Sequence, residues 1–79
     1  MAAKAFILIE TMVGKSKEVL TALKKIEGIK TVDMVTGPYD VIAVAEGRTL
    51  NDIGGIVTAK IHPIAGISRT VTCLAIESG

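Results

Sequence analysis

The stretch "TGPYDVIAVAEG", Thr36 to Gly47, decides how the rest of the chain folds. Gly37 and Pro38 punctuate a turn and cannot sit inside a central strand. "IKTVDMVT" (29–36) and "YDVIAVAE" (39–46) therefore read as the two arms of an antiparallel hairpin. In the second arm Val41, Ala43 and Ala45 point to one face while Ile42 and Val44 point to the other, so both faces are apolar. At the mouth of this run Asp40 stands beside Tyr39, the only tyrosine of the chain. A carboxylate and a phenol in that place call for a reason.

Upstream, "SKEVLTALKKIEG" carries Val19, Ala22, Leu23 and Ile26 at helical spacing. Ser16 is the expected N-cap, Lys24 and Lys25 favour the last turn, and Gly28 is the expected left-handed stop. Before it, "KAFILIETM" reads as a strand in which Phe6 and Leu8 oppose Ile7 and Ile9, so again neither face is polar. Downstream, Thr49 caps "LNDIGGIVTAKI", and Asp52 completes a capping-box-like pair. Leu50, Ile53, Val57 and Ile61 line one side of this second helix. Gly54 and Gly55 inside it cost roughly 1 kcal/mol each relative to alanine, which predicts close packing against a neighbour. His62 and Pro63 end the helix, "PIAGI" forms a loop, and "SRTVTCLAIE" supplies a last strand.

The order βαββαβ is that of a ferredoxin-like α+β fold, a four-stranded antiparallel sheet with two helices on one face. Antiparallel sheets that face water alternate apolar with polar residues, whereas the first and third strands here do not. The helix-free face is therefore expected to meet a second copy, which predicts a homodimer through the sheet.

Composition agrees with one small domain spanning 1–79. The chain has 79 residues, 49% of them hydrophobic but only 3% aromatic, so small aliphatics must pack the core. The net charge is +1 with scattered Lys and Arg, and no basic stripe suggests nucleic acid as a direct partner. Cys73, alone in "TVTCLAI", reads as a small buried hydrophobe and permits neither an internal disulfide nor a cysteine metal cluster. No apolar run approaches the ~18 residues of a spanning helix, and the first residues lack the basic head and cleavage site of a signal peptide. A soluble, cytoplasmic protein without a membrane partner is expected.

Few motifs suggest chemistry. "VGKSKE" resembles the end of a phosphate-binding loop, but that pattern needs glycine where Ile9 stands. His62, the only histidine, has no second ligand at metal spacing and no nucleophile or orienting acid nearby in sequence. No catalytic residue, metal ligand or cofactor is predicted. Two readings of Asp40 stay open. It is a turn aspartate accepting backbone N–H groups, or it holds the ammonium of a small zwitterion whose carboxylate meets N–H or hydroxyl groups. Gly37 and Pro38 leave free backbone groups nearby. Thr70 and Thr72 in "GISRTVTC" point to one face and offer two hydroxyls.

Taken together, the strand order, "TGPYD" and "GISRTVT" resemble the effector-binding (RAM) domain of the Lrp/AsnC family of feast-or-famine regulators, over essentially the whole chain. Gly37, Tyr39 and Asp40 meet a G-x-[YF]-D signature. Gly66, Ile67, Arg69, Thr70 and Thr72 meet a G-[VI]-x-R-T-x-T pattern. The resemblance implies a dimer through the sheet, assembly of dimers into rings, and an amino-acid effector at the subunit boundary near Gly37, Pro38, Tyr39 and Asp40, with Thr70 and Thr72 on the other side. The family's helix-turn-helix does not appear in this sequence. The expectation is a stand-alone effector domain that senses an amino acid and co-assembles with, or modulates, a full-length regulator. The alternative is a small enzyme of the dimeric α+β barrel type acting on an organic substrate, since fold alone does not choose. One histidine, one tyrosine and no acid pair weigh against acid–base chemistry.

Overall fold

A computed structural model describes residues 2–76. In chain order the elements are β1 (Ala3–Thr11), α1 (Ser16–Lys24), β2 (Ile29–Met34), β3 (Val41–Gly47), α2 (Leu50–Gly55), which runs on into a π-helical segment (Ile56–Ile61), and β4 (Ile67–Leu74). The four strands form one antiparallel sheet in the order β2-β3-β1-β4, with β1 and β3 in the centre. This is the ferredoxin-like arrangement that the order of elements predicts.

The helices cover one face of the sheet. Ala5, Ile7 and Ile9 from β1 and Val41, Ala43 and Ala45 from β3 are buried there against Val19 and Leu23 of α1 and Ile53, Val57 and Ile61 of the second helical run. Fully burying each of the larger aliphatic side chains contributes about 1.5–3 kcal/mol, so this layer supplies most of the drive to fold. The opposite parity, Phe6 and Leu8 with Ile42 and Val44, stays on the helix-free face, where Phe6 pairs with Cys73 and Leu8 with Val71. Cys73 is exposed there, not buried, because the single chain puts nothing over that face.

Several local expectations change. Ser16 is the first helical residue and Lys15 the N-cap without a side-chain cap, because the Ser16 hydroxyl is engaged with Thr11 Oγ1 at 2.7 Å. Thr49 does cap α2: its hydroxyl accepts from Asp52 N–H at 3.2 Å and the Asp52 carboxylate accepts from Thr49 N–H at 3.1 Å. Leu50 overhangs the core, whereas Ile53, Val57 and Ile61 are buried. Gly54 and Gly55 are not closely packed within the chain, since a Cβ at either would meet nothing within 4 Å. Just beyond them the helix loosens to π winding, with His62 N–H donating to Val57 C=O at 2.9 Å.

Glycine is required elsewhere. Gly28 has φ +97°, and a Cβ there would meet Ile56 Cδ1 at 2.6 Å. Gly28→Ala should therefore lower stability, while Gly55→Ala, in open space with helical dihedrals, should raise it by roughly 0.5–1 kcal/mol. Denaturant melts of the two variants check this; a Gly28→Ala protein as stable as the parent would contradict the assigned packing.

Candidate functional site

The hairpin between β2 and β3 is longer than a two-residue turn. It closes where Val35 N–H donates to Asp40 C=O at 2.9 Å, and it turns on Gly37, whose φ of +137° favours glycine. Pro38, which has no N–H to leave unpaired, follows it. Pro38 is exposed, and Tyr39 and Asp40 are half-buried.

Asp40 ties three strands together. Its N–H donates to Ile9 C=O in β1 at 2.9 Å, its C=O accepts from Val35 after β2, and its carboxylate Oδ2 accepts from Thr11 N–H at 2.8 Å. The turn-aspartate reading is thus realised in the fold: Asp40 satisfies the backbone donor at the end of β1. A hydrogen bond to a charged group contributes roughly 1.5–3 kcal/mol in favourable settings, less here because the site is partly solvated. A carboxylate has about four acceptor sites, so one backbone bond leaves capacity for a further donor.

Beside it lies a hydroxyl pair that the sequence reading did not single out. Thr11 Oγ1 and Ser16 Oγ are 2.7 Å apart across the β1–α1 turn. Their one signal in sequence is that both flank "MVGK", which lies in the turn.

The threonines are placed differently. Thr70 pairs with Ile9 and Thr72 with Ile7, so both share the helix-bearing face. Thr70 Oγ1 is 3.3 Å from His62 Nε2, and Thr72 lines a cleft against Leu50, Ile53 and Val57. Within one chain the turn Gly37–Asp40 meets Thr11 through Asp40, and Thr11 meets Ser16, whereas Thr70 and Thr72 stand with His62 and the cleft beside the second helix. Arg69 reaches Glu10 Oε2 at 3.1 Å instead, in an exposed ion pair worth little to stability. An open groove with charged walls lies at the far end of the sheet, between Glu27, Lys30, Glu46 and Arg48. Among the described residues no helix is long and apolar enough to cross a membrane.

The fold is that of a ferredoxin-like domain, and similarity to known proteins gives its family. The family model of the Lrp/AsnC ligand binding domain matches residues 4–78. The chain belongs to this family of transcription-regulator domains. An uncharacterised helix-turn-helix-type transcriptional regulator of Pyrococcus furiosus is 32% identical over 59 residues, which are 75% of this chain and 39% of that protein. The chain thus spans about two fifths of the length of the curated relatives it matches. A Thermus thermophilus protein superposes with a TM-score of 0.92 at 28% identity, covering 98% of this chain and 96% of its own. A hypothetical protein of Pyrococcus horikoshii gives 0.88 at 37%, covering 96% and 92%. A Neisseria meningitidis regulator solved as an L-Met complex shares the fold, with a TM-score of 0.84 at 16% identity over 95% of this chain and 50% of its own.

The geometry at Asp40 separates its charge from its shape. Asp40→Asn retains an oxygen for Thr11 N–H and should change stability by no more than about 0.5 kcal/mol. Asp40→Ala leaves that N–H without its acceptor and should lose about 1–2 kcal/mol. Urea unfolding of the two variants reads the difference; equal losses would mean that the Thr11 bond contributes nothing.

Proposed function

We propose that the chain is a small-molecule sensing module that binds an amino acid and acts as a dimer through its helix-free sheet face. The observation that carries this reading is the Asp40 carboxylate, held in place by backbone bonds yet with acceptor capacity to spare. Held carboxylates of this kind take ammonium groups at little ordering cost. The neighbouring Thr11 and Ser16 hydroxyls and the Gly37–Pro38 backbone offer partners for the other end of a zwitterion, and the L-Met of the Neisseria regulator is a ligand of that chemistry. Thr70 and Thr72 contribute only if a second subunit brings its own pair to the turn, and in this reading the site lies at a subunit boundary.

Support for the dimer comes from the sheet. Phe6, Leu8, Ile42, Val44 and Val71 form an apolar centre on the helix-free face, and the Lys4–Glu46 and Glu10–Arg69 cross-strand pairs frame it at either end. An apolar patch with a charged rim is the composition of an interface. In this reading the module responds to its effector inside the cytoplasm by changing its assembly into larger rings, or by joining a regulator that carries a DNA-binding domain.

Calorimetric titration with the twenty amino acids tests the ligand. At least one should bind, and Asp40→Asn should weaken it by about one to two decades while the melting temperature holds. Unchanged affinity in Asp40→Asn would return Asp40 to a purely structural role. Sedimentation tests the dimer: the parent protein should be at least dimeric at micromolar concentration, and Ile42→Lys should shift it to a folded monomer. A monomeric parent would remove the sheet-face reading.

A further inference from the structure

Three polar residues meet where the β1–α1 turn passes the β2–β3 hairpin. Asp40 Oδ2 accepts from Thr11 N–H at 2.8 Å, and Thr11 Oγ1 lies 2.7 Å from Ser16 Oγ. All three residues are half-buried, whereas Met12 to Lys15 and Thr36 to Pro38 around them are exposed. The turn between Thr11 and Ser16 is fixed through its backbone as well, since Met12 N–H donates to Gly66 C=O at 2.7 Å and Lys15 N–H to Met12 C=O at 3.0 Å. Polar groups held in this way have already lost the freedom that binding would otherwise take from them.

The hydroxyl pair can give what the carboxylate cannot. Ionised Asp40 only accepts, so it meets an ammonium but repels a second carboxylate. Each hydroxyl carries one proton. The Thr11–Ser16 bond uses one of the two, whichever residue donates, and the other stays on the accepting oxygen. Among the described residues neither hydroxyl has a further hydrogen-bond partner, so that proton is left to donate outward. A donor therefore stands beside an acceptor-only group.

The spacing suits an α-amino acid. A threonine's own N and Oγ1 are about 3–4 Å apart, which with the 2.8 Å bond places Asp40 Oδ2 within about 7 Å of Thr11 Oγ1. In an α-amino acid the ammonium nitrogen stands about 3 Å from the carboxylate oxygens, and a hydrogen bond of about 2.8 Å at each end covers the remainder. We infer that the Thr11–Ser16 pair is the part of the Asp40 site that reads the ligand's carboxylate, and that Ser16 is a positioning residue that holds Thr11 Oγ1 in place for it. Without Ser16 the Thr11 hydroxyl is free to change rotamer; with it, the hydroxyl is fixed relative to the N–H that Asp40 binds. The inference rests on the reading of Asp40 as an ammonium-binding group and adds a selectivity that Asp40 lacks. A lone carboxylate takes any primary amine, and the hydroxyl pair separates an amino acid from a simple amine.

The test is calorimetry with two probes: whichever of the twenty amino acids binds the parent best, and the amine that remains when its carboxylate is removed. Ser16→Ala should weaken the amino acid by about threefold to tenfold, as for one neutral hydrogen bond, and leave the amine's affinity and the melting temperature unchanged. Ser16→Thr, which keeps a hydroxyl, should restore the affinity. Thr11→Val keeps the N–H that Asp40 binds and removes the hydroxyl. It should cost as much as Ser16→Ala, and the double variant no more than either, because each change alone breaks the pair. Asp40→Asn, by contrast, should weaken amino acid and amine together. A Ser16→Ala protein that binds the amino acid as the parent does overturns the inference. An equal loss for amino acid and amine overturns it too, and would make Ser16 only a tie between β1 and α1. Where the amine binds the parent too weakly to titrate, failure of Ser16→Thr to restore the amino acid's affinity overturns it instead. A parent that binds none of the twenty removes the ligand reading of Asp40 itself, whereas binding that Asp40→Asn weakens and Ser16→Ala does not removes this inference alone.

Discussion

Two strands that are aliphatic on both faces lie at the centre of a sheet that has helices for only one of them. Ala5, Ile7 and Ile9 in β1 and Val41, Ala43 and Ala45 in β3 are buried under α1 and the second helical run. The residues between them, Phe6, Leu8, Ile42 and Val44, pair with one another on the other side. A one-residue slip of either strand would exchange the two sets, and with both apolar the exchange would carry less penalty than usual. Register is therefore held from the ends, and the hairpin turn is one of those ends.

That gives Asp40 two roles at once. Through its N–H, C=O and carboxylate it joins β3 to β1 and to the residue after β2, and it fixes where the β1 ladder stops. The same bonds hold its carboxylate in one place, which an ammonium-binding group also needs. Structural and ligand roles are not rivals for a residue with spare acceptor capacity.

The second helix is the loosest part of the covered layer. Its start is firmly capped by Thr49 and Asp52, but Gly54 and Gly55 follow directly and the winding turns π-helical from Ile56. Ile53, Val57 and Ile61 still reach the core, so the core tolerates the change while the outer surface does not stay filled. The gap at Gly54 widens the cleft beside β4, and in the single chain no contact offsets the glycines' cost.

The sequence by itself determined the order of elements, the ferredoxin-like fold, the Thr49–Asp52 cap, the left-handed Gly28 and the two-faced apolar character of β1 and β3. All of these follow from local rules: period-two and period-four spacing, cap chemistry and turn residues act between neighbours in the chain. The turn at Gly37–Asp40 was legible for the same reason. Tertiary structure decided the rest, because it rests on contacts between residues remote in sequence. The Thr11 N–H that Asp40 binds lies 29 residues away. Strand parity correctly placed Thr70 and Thr72 on one face. Only the sheet order and the helix packing showed that face to be the helix-bearing one, toward His62 and the cleft.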